Sequence, residues 1–190
     1  MRFTRPDRWL DRWQPQDPDT ASTEVARRYL ATYGPATREQ FARWFGMTSP
    51  AEAARWLRSL GDQATEVEAG GATRWQLTAD LDEPVGTAEG AVRLLPAFDQ
   101  YVVGAGRDDE DVLAAEQRPA VYRPQGWISP VLLVDGRIEG IWRHERAGDR
   151  LDVAVEPFAK VTKRVRAAVD EEAGRLAAFL GGQPQVRWVP

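Results

Sequence analysis

The residues able to do chemistry in this chain are cations rather than nucleophiles or metal ligands. Among its 190 residues there is no cysteine and a single histidine, His144. Zinc and iron–sulfur sites draw their ligands chiefly from those two residue types, so no metal and no cofactor is expected. His144 stands in His144-Glu145-Arg146, just after an expected strand, with no serine or cysteine placed as its nucleophile, and reads as a surface residue. The run Asp108-Asp109-Glu110-Asp111 has the oxygens for a hard cation but lacks the glycine and the closing glutamate of a calcium loop, and reads as a solvated turn. No catalytic residue is assigned. What remains is Arg55 and Arg58, three residues apart, then Arg74, then the group Lys160, Lys163, Arg164 and Arg166. Guanidinium and ammonium groups bind phosphate oxygens, and arginine also reads the edge of a guanine.

Those cations need elements to hold them outward. Residues 23–78 read as three short helices and a tight hairpin, the order of elements in a winged helix. The first helix carries Ala26, Tyr29, Leu30 and Tyr33 on one stripe and stops at Gly34-Pro35. The second opens at Thr37 with a capping box to Gln40, buries Phe41, Trp44 and Phe45, and ends at Gly46. Ser49-Pro50-Ala51-Glu52 predicts a further capping box for the third, whose inner stripe is Ala53, Trp56, Leu57 and Leu60. Trp56 is therefore a core residue, and Arg55 and Arg58 face out.

Beyond Gly61 the period falls to two. Thr65, Val67 and Ala69 alternate with Glu66 and Glu68, Gly70-Gly71 makes a two-residue turn, and Thr73, Trp75 and Leu77 alternate with Arg74 and Gln76. In a winged helix the third helix can enter the major groove while the hairpin lies beside a phosphate strand. Winged helices also serve as contacts for other proteins, so a protein partner is the alternative to double-stranded DNA.

The fold class expected is α+β, a winged helix followed by a β-rich, barrel-like domain with a C-terminal helix. Residues 1–19 read as a leader, 20–80 as the winged helix, 82–90 as a linker and 88–190 as the β-rich domain. Its strands are Val92–Leu95, Ile128–Val134, Arg137–Arg143 and Leu151–Val155, with turns at Asp135-Gly136 and Gly148-Asp149. A closing helix after Pro157 aligns Val161, Val165, Ala168, Val169, Leu176 and Phe179, with Lys160 and Lys163 on its first turns as candidate phosphate contacts. Val186–Val189 adds a last strand.

Charge narrows the partner. The formal net charge is −4, which excludes a histone-like polycation. It is unevenly spread: residues 1–60 carry ten arginines against seven acids, residues 61–120 four against thirteen, and residues 121–190 eleven basic against nine acidic groups. DNA would be held through a local face only. No apolar stretch approaches a membrane span and the Arg- and Asp-rich N-terminus is no signal peptide, so a cytoplasmic location is expected.

Four segments carry a family resemblance. They are Tyr29-Leu30 through Tyr33-Gly34-Pro35-Ala36-Thr37; Phe41 with Trp44; Leu94-Leu95-Pro96-Ala97-Phe98-Asp99; and Trp127 with Pro130 through Arg137. In that order and spacing the chain resembles the C-terminal half of bacterial winged-helix proteins of the AlkZ/YcaQ type, some of them DNA glycosylases that remove alkylated bases and unhook interstrand crosslinks. The resemblance implies tandem winged helices on a concave DNA-binding surface, completed by a barrel-like domain whose hairpins approach DNA. It also implies a catalytic motif of a glutamine or histidine, an aliphatic residue, then a glutamine or aspartate, in winged helices N-terminal to the matched region. Gln14-Pro15-Gln16-Asp17 imitates that motif but has proline in the aliphatic place, in a Pro- and Asp-rich stretch with no pocket around it. The expected function is accordingly DNA binding by a truncated relative of the crosslink-repair glycosylases. An active glycosylase completed by another chain is the alternative.

Overall fold

The computed structural model describes residues 3–82 and 90–189, and the chain divides into two units, residues 1–83 and 84–190. Most of the expected linker, residues 83–89, lies outside the described residues.

In the first unit, α1 (Pro18–Tyr33) begins ahead of its expected start. Asp17 accepts the Thr20 N–H at 2.9 Å and Pro18 takes the first helical position, where no N–H is missed. Helix α2 (Arg38–Phe45) opens on the predicted box, with the Gln40 N–H on Thr37 Oγ1 at 3.1 Å and the Thr37 N–H on Gln40 Oε1 at 2.8 Å. It ends on Gly46 at φ +79°. Helix α3 (Pro50–Arg58) lacks the box expected of it: Ser49 makes no side-chain cap, the Glu52 N–H turns to the Ser49 carbonyl at 3.1 Å, and the Glu52 carboxylate goes to Arg55.

Strands β1 (Ala64–Ala69) and β2 (Ala72–Leu77) form the predicted antiparallel hairpin about Gly70 and Gly71, both at positive φ. Its faces differ from the expected ones. A two-residue turn pairs odd positions with even, so Trp75 lies opposite Glu66 and Val67 opposite Arg74. Trp75 and Leu77 therefore share a face with Ala64, not with Thr65 and Val67, and pack against the helices. Trp75 also exchanges both backbone hydrogen bonds with Ala36, at 2.8 and 3.0 Å, which ties the hairpin to the segment between α1 and α2. Leu30, Phe41 and Leu57 are fully enclosed at the centre of this unit. Trp56 is only half-buried at its edge, and Phe45, expected inside, is 46% exposed.

The second unit runs β3 (Val92–Leu95), α4 (Gln100–Ala105), α5 (Arg118–Val121), β4 (Val131–Val134), β5 (Arg137–Ala147), β6 (Arg150–Pro157), α6 (Lys163–Leu180) and β7 (Gln183–Trp188). The two short helices between β3 and β4 were not expected. The sheet follows chain order; the first four strands are antiparallel and β7 is parallel to β6, because α6 carries the chain back the length of the sheet before it pairs again. Among the described residues β3 and β7 remain its edges, so the sheet is open and does not close into a barrel.

Helix α6 covers this sheet with Val165, Val169, Ala173 and Ala177, a row at i+4 steps packed on Leu132, Trp142, Leu151, Val153 and Val155. Phe179 lies two residues past the end of that row, on the opposite side of the helix, and is 86% exposed instead of inward. A second cluster, Val102, Leu113, Val121, Val131 and Ile138, fixes the α4–α5 segment to the strands.

Candidate nucleic-acid interface

Two cations stand on one outward face of α3. Its apolar residues Ala53, Ala54 and Leu57 are buried, which leaves Arg55 and Arg58, one turn apart, both exposed. Arg55 reaches Glu52 at 3.4 Å, a surface pair worth at most about 1 kcal/mol and readily exchanged for a stronger anion. Arg74 is placed differently. It lies on the hairpin face that carries Val67, half-buried, and its Nε donates to the Ala69 carbonyl at 3.0 Å. The guanidinium thus braces the hairpin against itself instead of extending from the tip.

In the second unit Lys163 is the first residue of α6, while Lys160 precedes the helix rather than lying on its first turn; both are exposed. Arg164 of the same group pairs with Asp135 at 3.1 Å, and Arg166 lies over the Trp188 ring at 4.4 Å. The first turn of α6 holds no acid, and cations at the positive end of a helix dipole cost about 0.3–1 kcal/mol each unless an anion arrives. Lys160 and Lys163 are the members of the group best disposed to receive one.

Sequence reading missed two further arginines. The sheet register sets Arg143 on β5, Ala154 on β6 and Arg187 on β7 side by side, with both arginines exposed and about 10 Å apart across the strands. Alternation along β5 signalled an outward Arg143, but its neighbour is set by the parallel return of β7, which no local pattern records. Arg146 on the same strand is structural: its guanidinium donates to the Leu180 carbonyl at 2.8 Å and so caps the C-terminus of α6.

The other chemistry-bearing residues are spent on the fold. His144 lies within β5, not after a strand, and stacks on Trp142 at 5.5 Å. The acidic run is tied down by arginine: Arg118 reaches Asp108 and Glu110 at 3.6 and 3.0 Å, and Arg137 donates to the Asp111 carbonyl at 2.7 Å. Among the described residues no three Asp, Glu, His or Cys side chains gather as a metal site would need, and no helix is long and apolar enough to cross a membrane. Asp99 caps α4 through the Tyr101 N–H at 2.8 Å. Gln14 and Gln16 are exposed, and the neighbouring Asp17 carboxylate, held below its usual range by the Thr20 hydrogen bonds, is committed to α1.

Comparison with known proteins agrees with this architecture. Residues 1–179 match the family model described as DNA glycosylase AlkZ-like. An interstrand DNA cross-link repair glycosylase of Streptomyces sahachiroi is 41% identical over 168 residues, which is 87% of this chain and 44% of that protein. The solved structure of the Streptomyces sahachiroi DNA glycosylase AlkZ superposes with a TM-score of 0.80 at 40% identity, covering 95% of this chain and 49% of that one. The chain thus spans about half the length of the relatives it matches. The family model takes in nearly the whole sequence, and the chain belongs to the AlkZ-like DNA glycosylase family.

Proposed function

We propose that this chain binds double-stranded DNA as the grip of a glycosylase-type repair protein, with residues 20–80 acting as a winged helix. The observation that carries the reading is the pair Arg55 and Arg58 on the exposed face of α3, directly ahead of a two-residue hairpin, in a chain of this family. In this reading α3 lies along the groove, Arg58 and Arg55 contact phosphates, and Lys160, Lys163, Arg143 and Arg187 supply a second set of phosphate contacts. Arg74 supports the hairpin that follows the strand. With a net charge of −4, binding is weak, steeply salt-dependent and nearly indifferent to sequence. The activity of the Streptomyces relative, interstrand cross-link repair, defines the substrate class to examine.

The test is duplex affinity as a function of salt. Each phosphate contact contributes about 0.9 to the log–log slope, so the double variant Arg55→Ala/Arg58→Ala flattens it by about one to two units and lowers affinity evenly across sequences. Arg58→Ala alone costs more than Arg55→Ala, because Arg55 shares its charge with Glu52. A double variant with the wild-type slope would move the interface off α3, and a wild-type chain that captures no duplex at low salt would leave the protein-contact alternative.

A further inference from the structure

Among the described residues Phe98 and Trp127 stand outside the buried apolar clusters, yet they touch each other. Their rings meet edge to face at 5.1 Å and are 47% and 52% exposed. The backbone is held firmly to present them. Phe98 sits at φ +58°, a conformation suited to glycine, in a turn closed by the Asp99 N–H on the Pro96 carbonyl at 3.3 Å. That turn is anchored on one side by the Trp142 indole, which donates to the Leu95 carbonyl at 2.7 Å, and on the other by the Asp99 cap of α4. Trp127 ends a loop closed by the Tyr122–Ile128 bridge and by the Arg123 N–H on the Trp127 carbonyl at 2.8 Å. Within it Gln125 takes φ +64°, again an unusual backbone for a residue with a side chain. Two large rings withheld from the core, each on a short turn in a costly conformation, are what a binding site looks like.

The ligand follows from the chemistry. Edge-to-face contact leaves aromatic faces open to a planar ring, and the exposed side chains of Arg123 and Gln125 in the same loop supply a cation for phosphate and an amide for polar ring edges. A base inside an intact duplex is stacked on both sides and offers no free face, whereas an unpaired one does. We propose that Phe98 and Trp127 form a stacking site for a nucleobase that has lost its pairing partner within duplex DNA, with Arg123 on the adjoining phosphate. The proposal rests on the DNA-binding reading above and gives it a preference for interrupted duplexes.

The experiment compares a fully paired labelled duplex with the same duplex carrying one extra unpaired thymine, by fluorescence anisotropy. Wild type favours the bulged duplex by about tenfold, as loss of one base–aromatic stack implies. Trp127→Ala and Phe98→Gly abolish that preference while leaving affinity for the paired duplex within about twofold, and Trp127→Phe keeps most of it. Phe98→Gly places glycine at a positive φ, so its melting temperature does not fall, and it carries the test if Trp127→Ala unfolds. Equal binding of both duplexes by wild type, or a preference that survives Phe98→Gly, overturns the stacking site and leaves the DNA-binding reading standing. Binding of neither duplex overturns both.

Discussion

Tyr29 shows how one side chain's surroundings become a measurable pH dependence. It is buried, with its ring 4.8 Å from Phe41 and 5.1 Å from Trp44, and burial pushes its hydroxyl up to about 12 from an ordinary 10.0. The folded chain holds this proton more tightly than the unfolded chain does. Its contribution is therefore complete below pH 10.0 and is lost as pH climbs toward about 12, amounting to about 2 kcal/mol. Tyr29→Phe removes that sensitivity, and urea midpoints measured on either side of this window fall further in wild type than in the variant; equal falls would mean that Tyr29 ionises as freely as in the unfolded chain. Trp56, expected as a core residue, sits at the edge of the core against Phe45 at 4.9 Å and Phe41 at 6.2 Å. Trp56→Ala then costs about 2 kcal/mol, while Phe41→Ala, at a fully enclosed site, costs about 3–5. A reversed order in denaturant melts would restore the central placement of Trp56.

Helix starts and strand crossings separate what local chemistry settles from what packing settles. Thr37-x-x-Gln40 and Ser49-x-x-Glu52 carry the same signature, yet only the first forms the reciprocal cap. At the second, Pro50 and the backbone bond to Ser49 already satisfy the first turn, and Glu52 has an arginine one turn along. Thr37→Ala accordingly costs about 1 kcal/mol and Ser49→Ala almost nothing; equal losses in thermal melts would mean that Ser49 caps in solution. Gly140 makes the complementary point for strands. A β-carbon there would meet the Glu156 carbonyl at 2.7 Å and Pro157 Cα at 2.9 Å, since β5 and β6 begin to pair at that residue. Gly140→Ala must push backbone apart and is expected to lower stability by about 1–3 kcal/mol. Retention of the wild-type melting temperature would show that the strands part there without penalty.

At the scale of the whole molecule the exposed arginines and lysines offer cations for phosphate, while the segment that imitates the family's catalytic motif lies open to solvent. Gln16 is exposed at the mouth of α1 and its neighbour Asp17 is occupied as a cap, so neither is shielded from bulk water as a positioned hydrolytic water requires. We expect the chain by itself to release no alkylated purine from duplex DNA above background. Turnover that vanishes with Gln16→Ala would establish the leader as catalytic. Much of this architecture was legible before any coordinates. Thr37, Gly46 and Gly70-Gly71 announced their elements because caps and turns are decided by a few consecutive residues, and the i, i+3, i+4 stripe of α3 left Arg55 and Arg58 outside. The family resemblance was legible as well, since it rests on the order of short segments. Other features needed the tertiary structure. The hairpin's inner face depended on pairing parity, the exposure of Phe179 on where α6 meets the sheet, and the meeting of Arg143 with Arg187 on a parallel return across α6. Phe98 and Trp127 came together only when two separate turns were fixed on one scaffold. Sequence specifies interactions closed within a turn or a period, whereas partners brought together by strand register and by helix packing are set by contacts distant along the chain, which a local pattern does not encode.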